Sequence, residues 1–260
     1  MRKPTDMCLL CQKKPSDKKN SQVIPKFFGK GLFDGTKPRH GIQISRNGVS
    51  SKVQDIIKEN YILCSECEKG LSIFETYCTF RLERFNNILY HKQYKRFKRV
   101  EFQYFECNNL DIRIFNLFIY SIVWRISISE HNAFQKFQLP IVEEEKLRKV
   151  IKDNISKTQN ELIDNLGNFS FLPDHSHAMI RPSKKLRPPN SMLSTASLDE
   201  SIHQLHLVDY LIFYATDKEK LISNFNEINN NTIDRKVRIG LIDSKLWSEF
   251  NLGLMYNLWK

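Results

Sequence analysis

Cys8-Leu9-Leu10-Cys11 and, 52 residues further on, Cys64-Ser65-Glu66-Cys67 decide how this 260-residue chain is read. A Cys-x-x-Cys step lets two sulfurs turn onto one ion. Two such pairs supply the four soft ligands of a tetrahedral zinc. The gap is longer than the roughly 15–20 residues of an ordinary zinc ribbon. It fits a treble clef, with the first pair on a knuckle and the second pair opening a helix. Four thiolates fill the shell, so a zinc held there is structural and leaves the chemistry to the segment it pins. Four buried free cysteines, or a redox thiol pair, are the alternatives. Cys78 and Cys107 stand outside the pattern and read as core residues.

Charge is concentrated around those pairs. Residues 1–100 hold 21 Lys and Arg against 9 Asp and Glu, a net of +12, whereas residues 101–260 hold 19 against 20, a net of −1. A generally basic chain would spread its lysines evenly. The asymmetry instead points to a polyanion as the partner of the cysteine-bearing part. Apolar residues make up 41 % of the chain, which excludes a disordered protein. The longest uncharged apolar run, Ile114 to Trp124, is flanked by Arg113 and Arg125 and is about half of the ~20 residues a membrane span needs. The N-terminal residues lack the apolar centre of a signal peptide, so a cytoplasmic protein with reduced thiols and no membrane partner is expected. No P-loop, dinucleotide-binding glycine pattern or Gly-x-Ser-x-Gly is present.

Working outward from the cysteines, Val23-Ile24-Pro25-Lys26-Phe27-Phe28 reads as a short edge strand. Gly29, Gly31, Gly35, Gly41 and Gly48 make residues 29–50 loop or hairpin. Leu71, Phe74, Cys78, Phe85 and Leu89 recur at three- and four-residue steps and predict a long helix from Ser65. Ser65 is its expected cap, with Glu66 and Glu68 in the first turn. Further helices are expected over 110–128 and 143–153, and one or two strands over 202–216. Residues 182–190, with three prolines, read as a linker. His203 and His206, three apart in a strand, should point to opposite faces, while His175 and His177 would share one but read more simply as loop histidines.

Cys8-x-x-Cys11, Ser21-Gln22-Val23-Ile24-Pro25-Lys26-Phe27, Val53-Gln54-Asp55 and Leu63-Cys64-x-x-Cys67-Glu68 together resemble the zinc-supported HNH endonucleases of bacteria. Glu75, Phe115–Ser129 with Trp124-Arg125, and Glu144-Glu145-Lys146-Leu147-Arg148 extend the likeness, so that it covers residues 5–153. The resemblance implies a ββα-metal unit that cuts DNA, more readily than RNA, with a histidine base and a magnesium or manganese ion beside the structural zinc. It also implies anti-phage defence and a partner protein such as an ATPase. The expected histidine falls at Gln22, which cannot take up a proton near neutral pH. Glu68 stands where the divalent ion's ligand is expected, and Asn60 is nearest to the orienting asparagine. Either the module is degenerate and only binds, or a displaced base such as His40 or His91 serves, or the alignment is shifted by a few residues. Glu68 can equally be a first-turn acid, and Glu75 a salt-bridged helix residue.

Residues 81–99 interleave Arg81, Arg84, Lys92, Lys95, Arg96, Lys98 and Arg99 with Phe85, Tyr90, Tyr94 and Phe97. Basic groups meet phosphates and aromatic rings stack on bases, so these are the candidate nucleic-acid contacts. The bland alternative is a solvated helix face. The fold expected is α+β: a treble-clef zinc module, ββα-metal-like, over residues 1–100, a mainly helical region over 101–181, and a small β-containing part over 182–260. The function expected is a metal-dependent HNH-like endonuclease. The alternative is a catalytically degenerate zinc module that binds nucleic acid and recruits a partner.

Overall fold

The computed structural model describes residues 2–29, 32–33, 41–44, 50–83, 94–98, 103–169, 171–183, 193–230, 236–249 and 251. The fold is α+β. In the N-terminal part, β1 (Ser21–Gln22) pairs antiparallel with β4 (Lys58–Glu59), and β2 (Gly41–Ile44) pairs antiparallel with β3 (Ser50–Val53). Val23–Phe28 is not a strand. Lys26–Gly29 forms a 3-10 turn, because the Gln22 side chain accepts the Lys26 amide at 3.2 Å and Pro25 withholds a ladder donor.

Helix α1 (Ser65–Glu83) buries Leu71, Phe74, Cys78 and Leu82 along one stripe. Burying each of its leucine and phenylalanine side chains contributes roughly 1.5–3 kcal/mol. Gly70 sits where α1 meets Ile155, and a Cβ there would overlap that side chain. Helix α2 (Ile112–Ser127) is apolar nearly all round and is buried from end to end, the behaviour of a central core helix. The Asp111 carboxylate caps it, accepting the Arg113 amide at 2.8 Å. Helix α3 (Ile141–Asp153) packs on α2, which packs on α1. The short α4 (Gln159–Asp164) follows, capped by Thr158.

The largest element is a seven-stranded sheet, not the small β part expected after residue 182. It takes strands from both sides of residue 100: β5 (Tyr94–Lys98), β6 (Gln103–Cys107), β7 (Ser176–Pro182), β8 (Leu193–Ser197), β9 (Ile202–Leu207), β10 (Tyr210–Ala215) and β11 (Val237–Ile242), in the order β5-β6-β11-β7-β10-β9-β8. Every neighbouring pair is antiparallel except β11 and β7. Helix α5 (Lys218–Phe225) and residues 244–249 lie on its second face. Phe105, Met179, Leu205, Ile212 and Ile239 belong to one core shared with α1, α2, Cys8, Cys64 and Cys67. On the opposite face Tyr104, Ala178, Ile180 and Leu211 pack with Leu221, Ile228 and Trp247. Short strands far apart in sequence, each alternating between two covered faces, carry no long periodic signal, which is why the sheet outgrew its expectation. The 202–216 segment does form two strands. His203 and His206 face opposite ways: His203 stacks near Phe137 and Tyr214, His206 against Trp247.

Candidate metal centre

The first cysteine pair sits on a tight knuckle. The Cys8 amide donates to the Lys14 carbonyl at 2.8 Å, and the Gln12 amide to the Cys8 carbonyl at 2.9 Å. Gln12 takes a φ of 53°, the left-handed turn that brings the chain round after Cys11. The second pair opens α1. The Cys64 sulfur accepts the Cys67 amide at 3.5 Å, and the Cys64 carbonyl accepts the Glu68 amide at 3.0 Å. Backbone bonds stitch the two pieces together: the Leu9 amide to the Ile62 carbonyl at 3.0 Å, and the Lys18 amide to the Leu63 carbonyl at 3.2 Å. Asp17 then caps α1 from outside, accepting the Ser65 amide at 2.7 Å and its hydroxyl at 2.9 Å. The cap is therefore Asp17, with Ser65 as the donor.

The four sulfurs lie within 4.8 Å of one another, and Cys11 and Cys64 are 3.9 Å apart. A Zn–S bond of ~2.3 Å gives a tetrahedron with an edge of ~3.8 Å, so the donor set fits the ion. The electrostatics favour a cation at the centre. A hydrogen bond from Cys67 pulls the Cys8 thiol down to about 4. Cys67 is pushed up by giving that bond and by burial. One thiolate forms readily and its neighbours then resist. A divalent ion among them reverses that repulsion. Among the described residues this is the one cluster of three or more side chains able to hold a metal such as zinc.

Beneath the knuckle lies an ionic seam. Arg125 of α2 is 1 % exposed and meets the Glu75 carboxylate of α1 at 2.7 Å. It also donates to the Gln22 carbonyl at 2.7 Å and to the Ser121 carbonyl at 3.0 Å. Glu68, two turns earlier on α1 than Glu75 and on the same face, turns its carboxylate toward the Ser21 hydroxyl and the Gln22 amide. Its Oε2 is buried with no hydrogen-bond partner among the described residues. Burial holds the Glu68 carboxyl above the usual range, opposed by the charge of Arg125. A second arginine ties the knuckle to α3. Arg148, paired with Glu145 at 2.6 Å, donates to the Leu10 carbonyl between the first two cysteines at 2.7 Å.

The expected catalytic residues are placed as follows. Gln22 and Glu68 come together, but through the Gln22 backbone; the Gln22 amide group serves the 3-10 turn instead. Asn60 is exposed, and its carbonyl oxygen accepts the Asn20 amide at 2.9 Å, closing the loop before β1. Glu75 is salt-bridged. His40 and His91 lie outside the described residues.

The basic 81–99 stretch divides between the end of α1 and β5. Arg81 is not free for phosphate: it donates to the carbonyls of Asn109 at 2.7 Å and Tyr77 at 2.9 Å and lies over the Tyr77 ring. Lys95, Arg96 and Lys98 are exposed on β5, with Arg96 bonded to Gln103 at 3.0 Å. Arg84, Lys92 and Arg99 lie outside the described residues. Cys78 and Cys107 are core, as their isolation suggested. The seam arginines had a signal in the sequence: Arg125 ends the long apolar run, and a charge there is buried and paired or it is unstable.

Fold and site together define an α+β protein with a four-cysteine site able to hold a metal such as zinc. No family model matches the chain, and neither a curated protein nor a solved structure shows significant similarity to it. Among the described residues, no helix is long and apolar enough to cross a membrane.

Proposed function

We propose that this chain is a zinc-stabilised nucleic-acid-binding protein whose treble-clef module keeps the frame of an HNH nuclease without its chemistry. The observation that carries this reading is Arg125. Its guanidinium pairs with Glu75, and its charge also acts on Glu68, the acid that the HNH resemblance offers as the ligand of a magnesium or manganese ion. A buried fixed cation repels a divalent ion and already neutralises the acids that would bind it. Gln22 supplies no base, and its side chain is engaged in a turn. The knuckle, the β2–β3 hairpin and a helix opened by the second cysteine pair support the treble-clef assignment.

The binding face follows from charge. Lys13, Lys19 and Lys26 are exposed around the knuckle and β1, with no ion pair among the described residues. Exposed lysines on a pinned scaffold release counterions when phosphate binds. Glu68 lying against β1 is the observation that favours the runner-up, an active DNA endonuclease with His40 or His91 as a displaced base.

Titration of a fluorescent DNA duplex at increasing salt, beside a plasmid-nicking assay with magnesium or manganese, separates the two. The expected result is salt-sensitive binding without nicking. Changing Lys13, Lys19 and Lys26 to Glu should lower the slope of log affinity against log salt by about 2–3. Nicking abolished by Glu68→Ala would establish the endonuclease. No binding at low salt would remove nucleic acid from the account and leave an acidic protein as the partner of the basic face.

A further inference from the structure

The helix-facing side of the sheet carries a line of polar side chains that the metal centre does not use. His177 of β7, Tyr214 of β10, His203 of β9 and Ser197 of β8 stand opposite one another across four strands. His175 lies two residues before His177. All three histidines are at most 2 % exposed. Such a row, at the centre of an apolar core, is costly unless every group is satisfied. It is tolerable only with neutral rings, because the one unpartnered nitrogen on His177 and on His203 is then a lone pair and not a charge.

The His203 Nδ1 bonds the Ser197 hydroxyl at 2.8 Å, and its Nε2 has no partner among the described residues. Around that ring lie Phe137 from the segment before α3, Tyr214 and, at longer range, Asp199 and His175. The His177 Nε2 meets the Asn116 carbonyl oxygen of α2 at 2.6 Å; its Nδ1 has no partner among the described residues, and Phe115 closes over it. Among the described residues, no carboxylate touches either ring. His175 differs. Its Nδ1 meets the Tyr214 hydroxyl, and its Nε2 meets the Glu143 carboxylate of α3 at 2.8 Å; Tyr120 of α2, Lys146 of α3 and Asp174 complete its surroundings. Thus α2 rests on the row through Asn116, and α3 through Glu143. Helix α3 also grips the metal knuckle through Arg148.

We propose that this histidine row is a proton-operated latch, which holds α2 and α3 on the sheet while its rings are neutral and releases them when His177 and His203 are charged. A proton on the His203 Nε2 or the His177 Nδ1 places an unpaired cation against aromatic rings. The least disruptive escape is for the covering helices to lift and admit water. Burial lowers His203 to about 4 and His177 to about 3, against ~6.5 for an unfolded histidine. Between those values the open chain binds more protons than the closed one. The latch is therefore at full strength above pH ~6.5 and weakens as pH falls toward 4. Because Arg148 joins α3 to Leu10, opening at this end slackens the knuckle at the other.

Hydrogen exchange on the intact, zinc-loaded chain at pH 7.5 and at pH 5, corrected for intrinsic rates, tests the latch. The expected result is a rise of tenfold or more in exchange of α2 and α3 amides at pH 5, with β9 and β10 still protected. The double variant His177→Gln, His203→Gln should keep α2 and α3 closed at pH 5. Unchanged α2 and α3 exchange, or simultaneous loss of protection in helices and sheet, would overturn the proposal, the latter being plain acid unfolding. Should the double variant not fold, the ring proton shifts of the parent decide. His177 and His203 rings that titrate near 6.5 in the closed chain refute the latch; rings that stay neutral until the helices open support it.

Discussion

The metal knuckle and the histidine row are both buried clusters of groups that hydrocarbon does not welcome, and they solve that problem in opposite ways. At the knuckle, four thiols are brought within 4.8 Å and the charge they develop calls for an ion from outside. In the row, three imidazoles lie in or beside β7 and β9, on either side of β10; burial favours their neutral form, and hydroxyl, amide and carboxylate partners answer them. The first arrangement is strong because it gathers charge. The second holds because it avoids it. Between them run α3 and the ionic seam of Arg125, so the two ends belong to one core.

The sharpest way to break the comparison is to remove a metal ligand. In Cys67→Ser the remaining sulfurs cannot close a tetrahedral shell, and structural zinc is worth roughly 10 kcal/mol or more in small domains. Cys67 lies in the shared core. Metal analysis should find less than one zinc per chain, and thermal unfolding should shift to a much lower Tm. Stoichiometric metal in the variant, with an unshifted Tm, would show that the quartet is not the binding site. Next in size is Arg125→Met. It keeps the apolar volume but leaves Glu75 without its cation and the Gln22 carbonyl without its side-chain donor. Breaking one side of a buried pair costs about 3–5 kcal/mol. Adding Glu75→Gln should recover part of that loss, a coupling that denaturant titration of the double-mutant cycle reads directly.

These two ends of the molecule were not equally readable from sequence. The knuckle announces itself because metal chemistry fixes residue type and local spacing: Cys8, Cys11, Cys64 and Cys67 can be matched without knowing what lies between. The helices follow from periodicity, and α1, α2 and α3 fall within two residues of their expected starts. The sheet does not follow. Its pairing joins Gln103–Cys107 to Val237–Ile242 across more than a hundred residues, and nothing local specifies such a register. His175 and His177 read as loop residues because a histidine's polarity says exposed, whereas Tyr214, Glu143 and Asn116 give them partners only in the folded chain. The catalytic candidates show the same limit. Spacing brings Gln22 near Glu68, but the direction of the Gln22 side chain is settled by the Lys26 amide, a choice of rotamer that a motif does not contain.

The smallest effect lies at the seam between the first cysteine pair and α1. Asp17 is exposed, yet it accepts both the Ser65 amide and the Ser65 hydroxyl from 48 residues away. Those bonds hold its carboxyl below the usual carboxylate range. A cap supplied by the helix's own sequence acts even when the helix is alone. One supplied by the knuckle acts only while knuckle and helix are docked. Asp17→Ala should therefore lower Tm by about 2 °C in the zinc-loaded chain and change nothing once the metal has been chelated and the knuckle released. Asp17→Asn, whose side-chain oxygen can accept the same amide, should restore most of the loss at neutral pH. A drop of equal size with and without metal would mean that Asp17 acts on α1 independently of the cysteines, and that the knuckle and the helix are less tightly joined than the Leu9–Ile62 and Lys18–Leu63 backbone bonds imply.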